Sequence, residues 1–175
     1  MEEFKEIDLF KLSFPVFRLI NNNWMLITAG NLESHNTMTA SWGGFLILWH
    51  SPMAAIFIRP QRHTKKFIDK EKFFTLSFFE EEYKDALTFC GRNSGRDVNK
   101  DKETNLTPFS FETSVAYNEA SLIFLCEKAY QTTMQENNIL NKETIIKNFY
   151  PEKDYHEIYF AKIVKAKIKE STNLF

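Results

Sequence analysis

The sequence predicts a mainly β protein, an antiparallel barrel with short helices attached to it. Three observations predict it. Side-chain character alternates with period two in TMTASWGG (37–44) and YHEIYFAKIVKAKIKE (155–170), which is the strand period and not the helical one. Short apolar runs, WMLITAG (24–30), MAAIFI (53–58) and FFTLSFF (73–79), have the length of strands and are bounded by Gly, Pro or charge. Helical patterning is confined to three brief segments.

In chain order, residues 4–12 form a short lead-in, and Pro15 opens an extended stretch. The strand 24–30 ends at Gly30, and 31–35 is polar turn chemistry. Along 37–44, Thr37, Thr39 and Ser41 share one face while Met38, Ala40 and Trp42 share the other. Pro52 precedes the strand 53–58, and Arg59-Pro60 stops it. Thr64 caps a helix over 65–70 that turns Phe67 and Ile68 inward. After the strand 73–79, EEEYKDALTFCG (80–91) reads as a helix with acids in its first turn and Gly91 at its end. A polar loop runs to Pro108. Strands are expected over 109–112, 119–128 and 130–135, then a helix over 142–149 broken by Pro151, and a long closing strand over 155–170.

A length of 175 residues fits one domain, 1–175. Hydrophobic residues make up 43% and include 18 Phe, enough for a large core and against disorder. The net charge of −1 removes the electrostatic case for nucleic acid or an anionic membrane. Neither a signal peptide nor a long apolar run is present in the sequence, so the expectation is a cytoplasmic protein with Cys90 and Cys126 reduced.

Three clusters carry chemistry. In NTMTASWGG (36–44), hydroxyls and small side chains lead into Gly43-Gly44. Threonine also simply suits strands, but glycine within a strand pattern marks a bulge or a close backbone approach. The expectation is a strand that faces a planar, phosphorylated ligand. In RPQRHT (59–64), Arg62, Thr64 and the amides of a helix start offer converging donors for a phosphate; the plain alternative is a solvated turn. CGRNSGRDVNK (90–100) is either a connector or a clamp over the ligand edge. Cys90 reads as a buried helix-end residue and not as a nucleophile. The histidines His35, His50, His63 and His156 are scattered, and the sequence has no metal-site spacing, nucleophile elbow, P-loop or dinucleotide fingerprint. Catalysis by side chains finds little support, so an enzyme reading needs a cofactor for the hard step.

Taken together and in order, NTMTASWGG (36–44), IRPQRHTKKFI (58–68), residues 73–108 and YPEKDYHEIYFAKI (150–163) resemble the flavin reductase-like family with the FMN-binding split barrel, in particular its flavoredoxin-like branch. The resemblance implies a six-stranded Greek-key split barrel and a homodimer with FMN in a cleft at the subunit interface. It implies transfer of reducing equivalents from NAD(P)H to flavin or an electron acceptor. The alternative is an FMN electron-transfer protein served by a redox partner, without direct NAD(P)H turnover. A barrel that has lost its cofactor is opposed by the intact RPQRHT and SGRDVNK clusters. In family terms, Asn36, Thr37, Met38, Thr39, Ala40 and Ser41 line the ring and ribityl chain, with Trp42 as a wall. Arg59, Pro60, Gln61, Arg62, His63 and Thr64 belong to the ribityl and phosphate end. Cys90, Gly91, Ser94, Gly95, Arg96, Asp97 and Lys100 close over the flavin. His63 stands where Tyr is common, and Asn99 replaces an acid of the family loop. On this reading Thr39→Val removes a ligand contact and leaves the strand intact.

Overall fold

The computed structural model describes residues 3–172. Among them, eight strands form one continuous sheet. Along its path lie β3 (His35–Ala40), β2 (Met25–Gly30), β6 (Phe73–Phe78), β9 (Leu122–Thr133), β10 (Glu157–Lys169), β5 (Ser51–Ile58) and β4 (Gly43–Leu48). The short β1 (Phe4–Glu6) pairs with the far end of β10, and every pairing is antiparallel. A separate hairpin joins β7 (Pro108–Phe111) to β8 (Ser114–Tyr117). The helices are α1 (Val16–Arg18), α2 (His63–Lys70), α3 (Lys84–Arg92), α4 (Lys100–Thr104) and α5 (Lys142–Phe149).

The period-two pattern sets the two faces. Tyr159, Ala161 and Ile163 of β10 point into a core shared with Ile27, Met38, Ile56, Phe74, Phe78 and Phe124. A register shift at Ile163/Lys165 then leaves Val164 as an extra, exposed residue, and the inward positions become Ala166 and Ile168. One bulge residue reverses the parity of a strand, which is why the apolar residues of KIVKAKIK do not alternate strictly. On the opposite face, Leu26, Ile123 and Leu125 are covered by Leu87 and Cys90 of α3 and by Tyr117 of β8. Burying each large side chain of these two clusters contributes roughly 1.5–3 kcal/mol.

Several local expectations change. After Pro15 the chain is not extended: Leu19 N–H donates to Pro15 O at 2.9 Å, α1 forms, and a π-helical turn Leu19–Asn23 buries Leu19 and Ile20. The stretch 37–44 is not one strand. It breaks at Ser41–Trp42 into β3 and β4, which lie at opposite ends of the sheet path. Gly43 makes the corner, because a Cβ there would meet Ala55 O at 2.7 Å, at φ +155°. Gly44 faces open space, and Gly43 also lines one wall of a surface cavity, so the chain crossing itself requires glycine only at Gly43. The expected strands 119–128 and 130–135 are one strand, β9, with a register shift opposite Phe160/Ala161. The hairpin strand β8 and the edge strand β4 are additional elements. The loop after α3 contains α4, whose N-cap is Asn99, its side chain accepting from Lys102 N–H at 3.1 Å. Asparagine caps a helix as well as aspartate does, so the loop keeps its form without the acid. The helix α3 runs one residue past Gly91, to Arg92. None of the described helices is long and apolar enough to cross a membrane.

A candidate phosphate and ring groove

Three cavities in a row follow the line from α2 to β4. The inner one, about 340 Å³, is bounded by Asn36 and Met38 of β3, by the β5–α2 turn from Arg59 to Thr64, and by Arg92–Arg96 with Lys100. The middle one, about 150 Å³, lies against Met38–Trp42, Phe57, Arg59, Arg62 and His156. The outer one, about 890 Å³, shares Ser41, Trp42 and Phe57 with it and reaches Phe17, Met134 and Tyr150. The three sequence clusters, far apart in the chain, therefore converge on one groove.

Charge distinguishes its two ends. Four arginines and one lysine line the inner cavity, and no carboxylate does. His63 records this field: burial and then the nearby Arg96, Lys66 and Lys100 hold its pKa below the usual imidazole value. Its Nδ1 is buried and has no protein partner. A buried nitrogen without a partner among cations fits an anion that would both accept hydrogen bonds and balance charge. The outer cavities are instead walled by aromatic side chains. Trp42 packs against His156 and Phe149, ring centroids 5.1 Å and 5.6 Å away. His156 is hydrogen-bonded to Tyr150 Oη at 2.8 Å through Nδ1, and burial with Arg59 close by pushes its pKa down to about 4, so it is neutral near pH 7.

Three devices hold the walls of the groove together. Lys100 donates from Nζ to Thr37 O and to Cys90 O, each at 2.7 Å. Burial and Arg62 lower its pKa to about 8. Arg62 Nη1 donates to Gly91 O at 2.6 Å, which ties the β5–α2 turn to the end of α3. Asn36 donates from Nδ2 to Thr64 Oγ1 at 2.6 Å, and its Oδ1 lies where a Cβ on Gly95 would have to sit. Only a residue without a side chain allows this approach. Gly95→Ala is therefore expected to push the loop off Asn36 and cost on the order of 1–2 kcal/mol, read as a lowered denaturant midpoint with unchanged m-value.

Not every residue expected at the site meets a cavity in that way. Thr64 does not cap α2. It is the helix's second residue, buried, with its hydroxyl accepting from Asn36. The Thr39 hydroxyl donates to Leu87 O of α3 and so is spent within the fold. Thr39→Val is expected to cost about 0.5–1.5 kcal/mol of stability by losing that bond. Ligand affinity should change less than threefold in a binding titration, the reverse of the sequence expectation. Arg59 pairs with Asp154 and donates from Nη2 to Phe149 O at 2.7 Å, while Gln61 Nε2 donates to the same Asp154 oxygen at 2.7 Å. Pro60 is exposed, and neither it nor Gly91 lines any of these three cavities. Cys90 is fully buried, with its pKa raised by burial to about 11, and acts through its carbonyl. Thr37 and Asp97 border a separate cavity on the other side of the loop. Ser94 Oγ accepts from Arg96 N–H at 3.2 Å and shapes the loop.

The sequence reading overlooked Phe57, Arg92, Asn93, Tyr150 and His156. Two are loop-end polar residues inside a stretch already singled out, CGRNSG. Phe57, Tyr150 and His156 lie in segments that only the strand pairing of β10 with β5 brings together.

Residues 17–174 match the family described as flavin reductase like domain. No curated protein matches the chain by sequence. Among solved structures, the chain is similar to an FMN-binding domain of a flavin reductases-like enzyme from Shewanella baltica (TM-score 0.69, 16% identity, 96% of this chain and 78% of that one). It is similar to an FMN-binding protein from Thermus thermophilus with bound p-hydroxybenzaldehyde (TM-score 0.68, 19% identity, 92% and 80%). It is also similar to flavoredoxin of Desulfovibrio vulgaris (TM-score 0.67, 19% identity, 95% and 77%). At such identities the likeness establishes the fold. The family match spans nearly the whole sequence, and the chain belongs to the flavin reductase-like family.

Proposed function

We infer that the groove binds FMN and that the protein is an FMN-dependent oxidoreductase passing reducing equivalents from NAD(P)H to flavin or an electron acceptor in the cytoplasm. The observation that carries this reading is the inner cavity: five cationic side chains, no carboxylate, and a buried His63 Nδ1 without a partner. Arg62, Arg96, Lys100, His63 and the first amides of α2 would hold the phosphate. Met38, Ala40, Ser41, Trp42 and Phe57 would contact the ring, with His156 as a neutral neighbour. Bound FMN would supply hydride acceptance and donation. The similar Shewanella domain and Thermus protein are FMN-binding, which supports the cofactor.

The homodimer belongs to the same reading. Phe17, 87% exposed, and Trp42, 42% exposed, edge the outer cavity. A second copy laid across this rim would remove apolar surface from water.

Visible spectroscopy of the purified protein with added FMN, then NADH or NADPH without oxygen, tests the proposal. Retained flavin that bleaches with either nucleotide supports it. Retained flavin that bleaches with dithionite but with neither nucleotide shifts the function to electron transfer. Failure to retain FMN overturns the reading. A pH dependence is also expected. A bound phosphate dianion raises the depressed pKa of Lys100, so binding takes up a proton once the free protein has lost it. FMN affinity is therefore expected to fall as pH rises from 8 to 9, with proton uptake seen in calorimetry across buffers of different ionisation enthalpy.

A further inference from the structure

Arg59 lies along both the inner and the middle cavity, yet its charge is already matched. Its guanidinium pairs with Asp154 Oδ2, donates to Phe149 O and lies over the Tyr150 ring at 5.3 Å. Gln61 donates to the same carboxylate oxygen at 2.7 Å. Arg59 holds the Asp154 carboxyl below its ordinary pKa, so the carboxylate is ionised across the working range. Asp154 itself lines none of the three cavities. It sits in the segment between α5 and β10, two residues before His156. Around the middle cavity the charged side chains are Arg59 and Arg62, with His156 neutral. Asp154 thus cancels one of the two positive charges beside the space assigned to the ring.

We propose that Asp154 is a positioning residue that sets the redox balance of the bound flavin: by holding Arg59 as a neutral pair it limits the stabilisation of the reduced ring. The inference rests on the flavin reading above. The physical basis is general. Two-electron reduction leaves negative charge on the ring near neutral pH, and a cation in a partly desolvated cavity favours that form over the oxidised one. An arginine paired with a carboxylate contributes little of this field. An unpaired one at the same place contributes much more.

Asp154→Asn keeps the shape and leaves an amide oxygen to accept from Arg59 and Gln61, while it removes the charge. It is expected to tighten binding of reduced FMN relative to oxidised FMN by tenfold or more. That corresponds to a rise of about 30 mV in the two-electron midpoint potential. Arg59→Gln is the opposing variant and is expected to move the ratio the other way, because it leaves the carboxylate without its cation. The experiment is an anaerobic dye-coupled potential titration of the FMN-loaded wild type and both variants, with Kd for oxidised FMN measured alongside. A merely structural role for the Asp154 link weakens both redox forms together and leaves their ratio unchanged. An unchanged ratio in Asp154→Asn, or the same sign of shift in both variants, overturns the proposal while the flavin reading stands. A wild-type protein that retains no FMN overturns the flavin reading and this inference with it.

Discussion

Lys100→Met is expected to destabilise the protein by about 2–4 kcal/mol, from the loss of two hydrogen bonds made by a charged, buried donor. Lys100 is 7% exposed and holds the carbonyls of Thr37 and Cys90. Without it, Thr37 O keeps the longer Asn36 amide bond at 3.2 Å. The loop that carries Ser94–Asn99 then loses its anchor to β3. The pH dependence is specific. The folded protein releases the Lys100 proton at about 8, whereas the unfolded chain holds it to about 10.4. Between these values the unfolded state binds more protons, so this residue's contribution to stability rises with pH. The gap in unfolding free energy between wild type and Lys100→Met should therefore widen from pH 8 to 10. Urea titrations at several pH values check both the size and the slope. A constant gap across that window would mean that Lys100 is not held in a field that depresses its pKa.

Arg62→Ala is expected to weaken FMN binding by about 1–3 kcal/mol through loss of a charge-assisted phosphate contact. Arg62 lines both the inner and middle cavities, and burial together with Arg59 lowers its pKa while leaving it cationic. It is also the brace on Gly91 O. The two effects separate by ligand. Loss of the phosphate contact weakens FMN and leaves riboflavin, which lacks the phosphate, nearly unaffected. Loss of the brace alone weakens both equally. Fluorescence titration with the two flavins decides between them, and equal affinity of Arg62→Ala and wild type for FMN would remove Arg62 from the site.

The groove was legible in outline from local sequence. NTMTASWGG, RPQRHT and SGRDVNK each carried donors, small residues or glycine of a kind that suits a phosphate and a ring, and the fold brings all three together. Residues 53–58 and 73–79 formed strands much as their apolar runs indicated, because runs of six or seven residues bounded by Pro or charge have the length of a strand and are short for a buried helix. The partners of individual side chains were not legible. Thr39 looked like a ligand contact because it stood among other hydroxyls, but α3 lies across that face and its Leu87 carbonyl accepts the hydroxyl's hydrogen bond. Arg59 and Gln61 were expected at the ribityl and phosphate end, but Asp154, more than ninety positions away, has engaged both.

What the sequence determined by itself follows from short-range physics. Period-two alternation, turn residues and capping side chains specify strands, breaks and helix starts within a few residues of themselves. The tertiary structure decided everything that depends on segments meeting across the sheet. It split 37–44 at a corner where only Gly43 avoids the Ala55 carbonyl. It reversed the parity of β10 at Val164 by pairing with β9. It carried His156 and Phe57 to the same wall through the β10–β5 ladder. Local composition shows which donors a chain owns. Which of them stay free for a ligand is settled only when folding has satisfied the buried carbonyls and carboxylates that compete for the same protons.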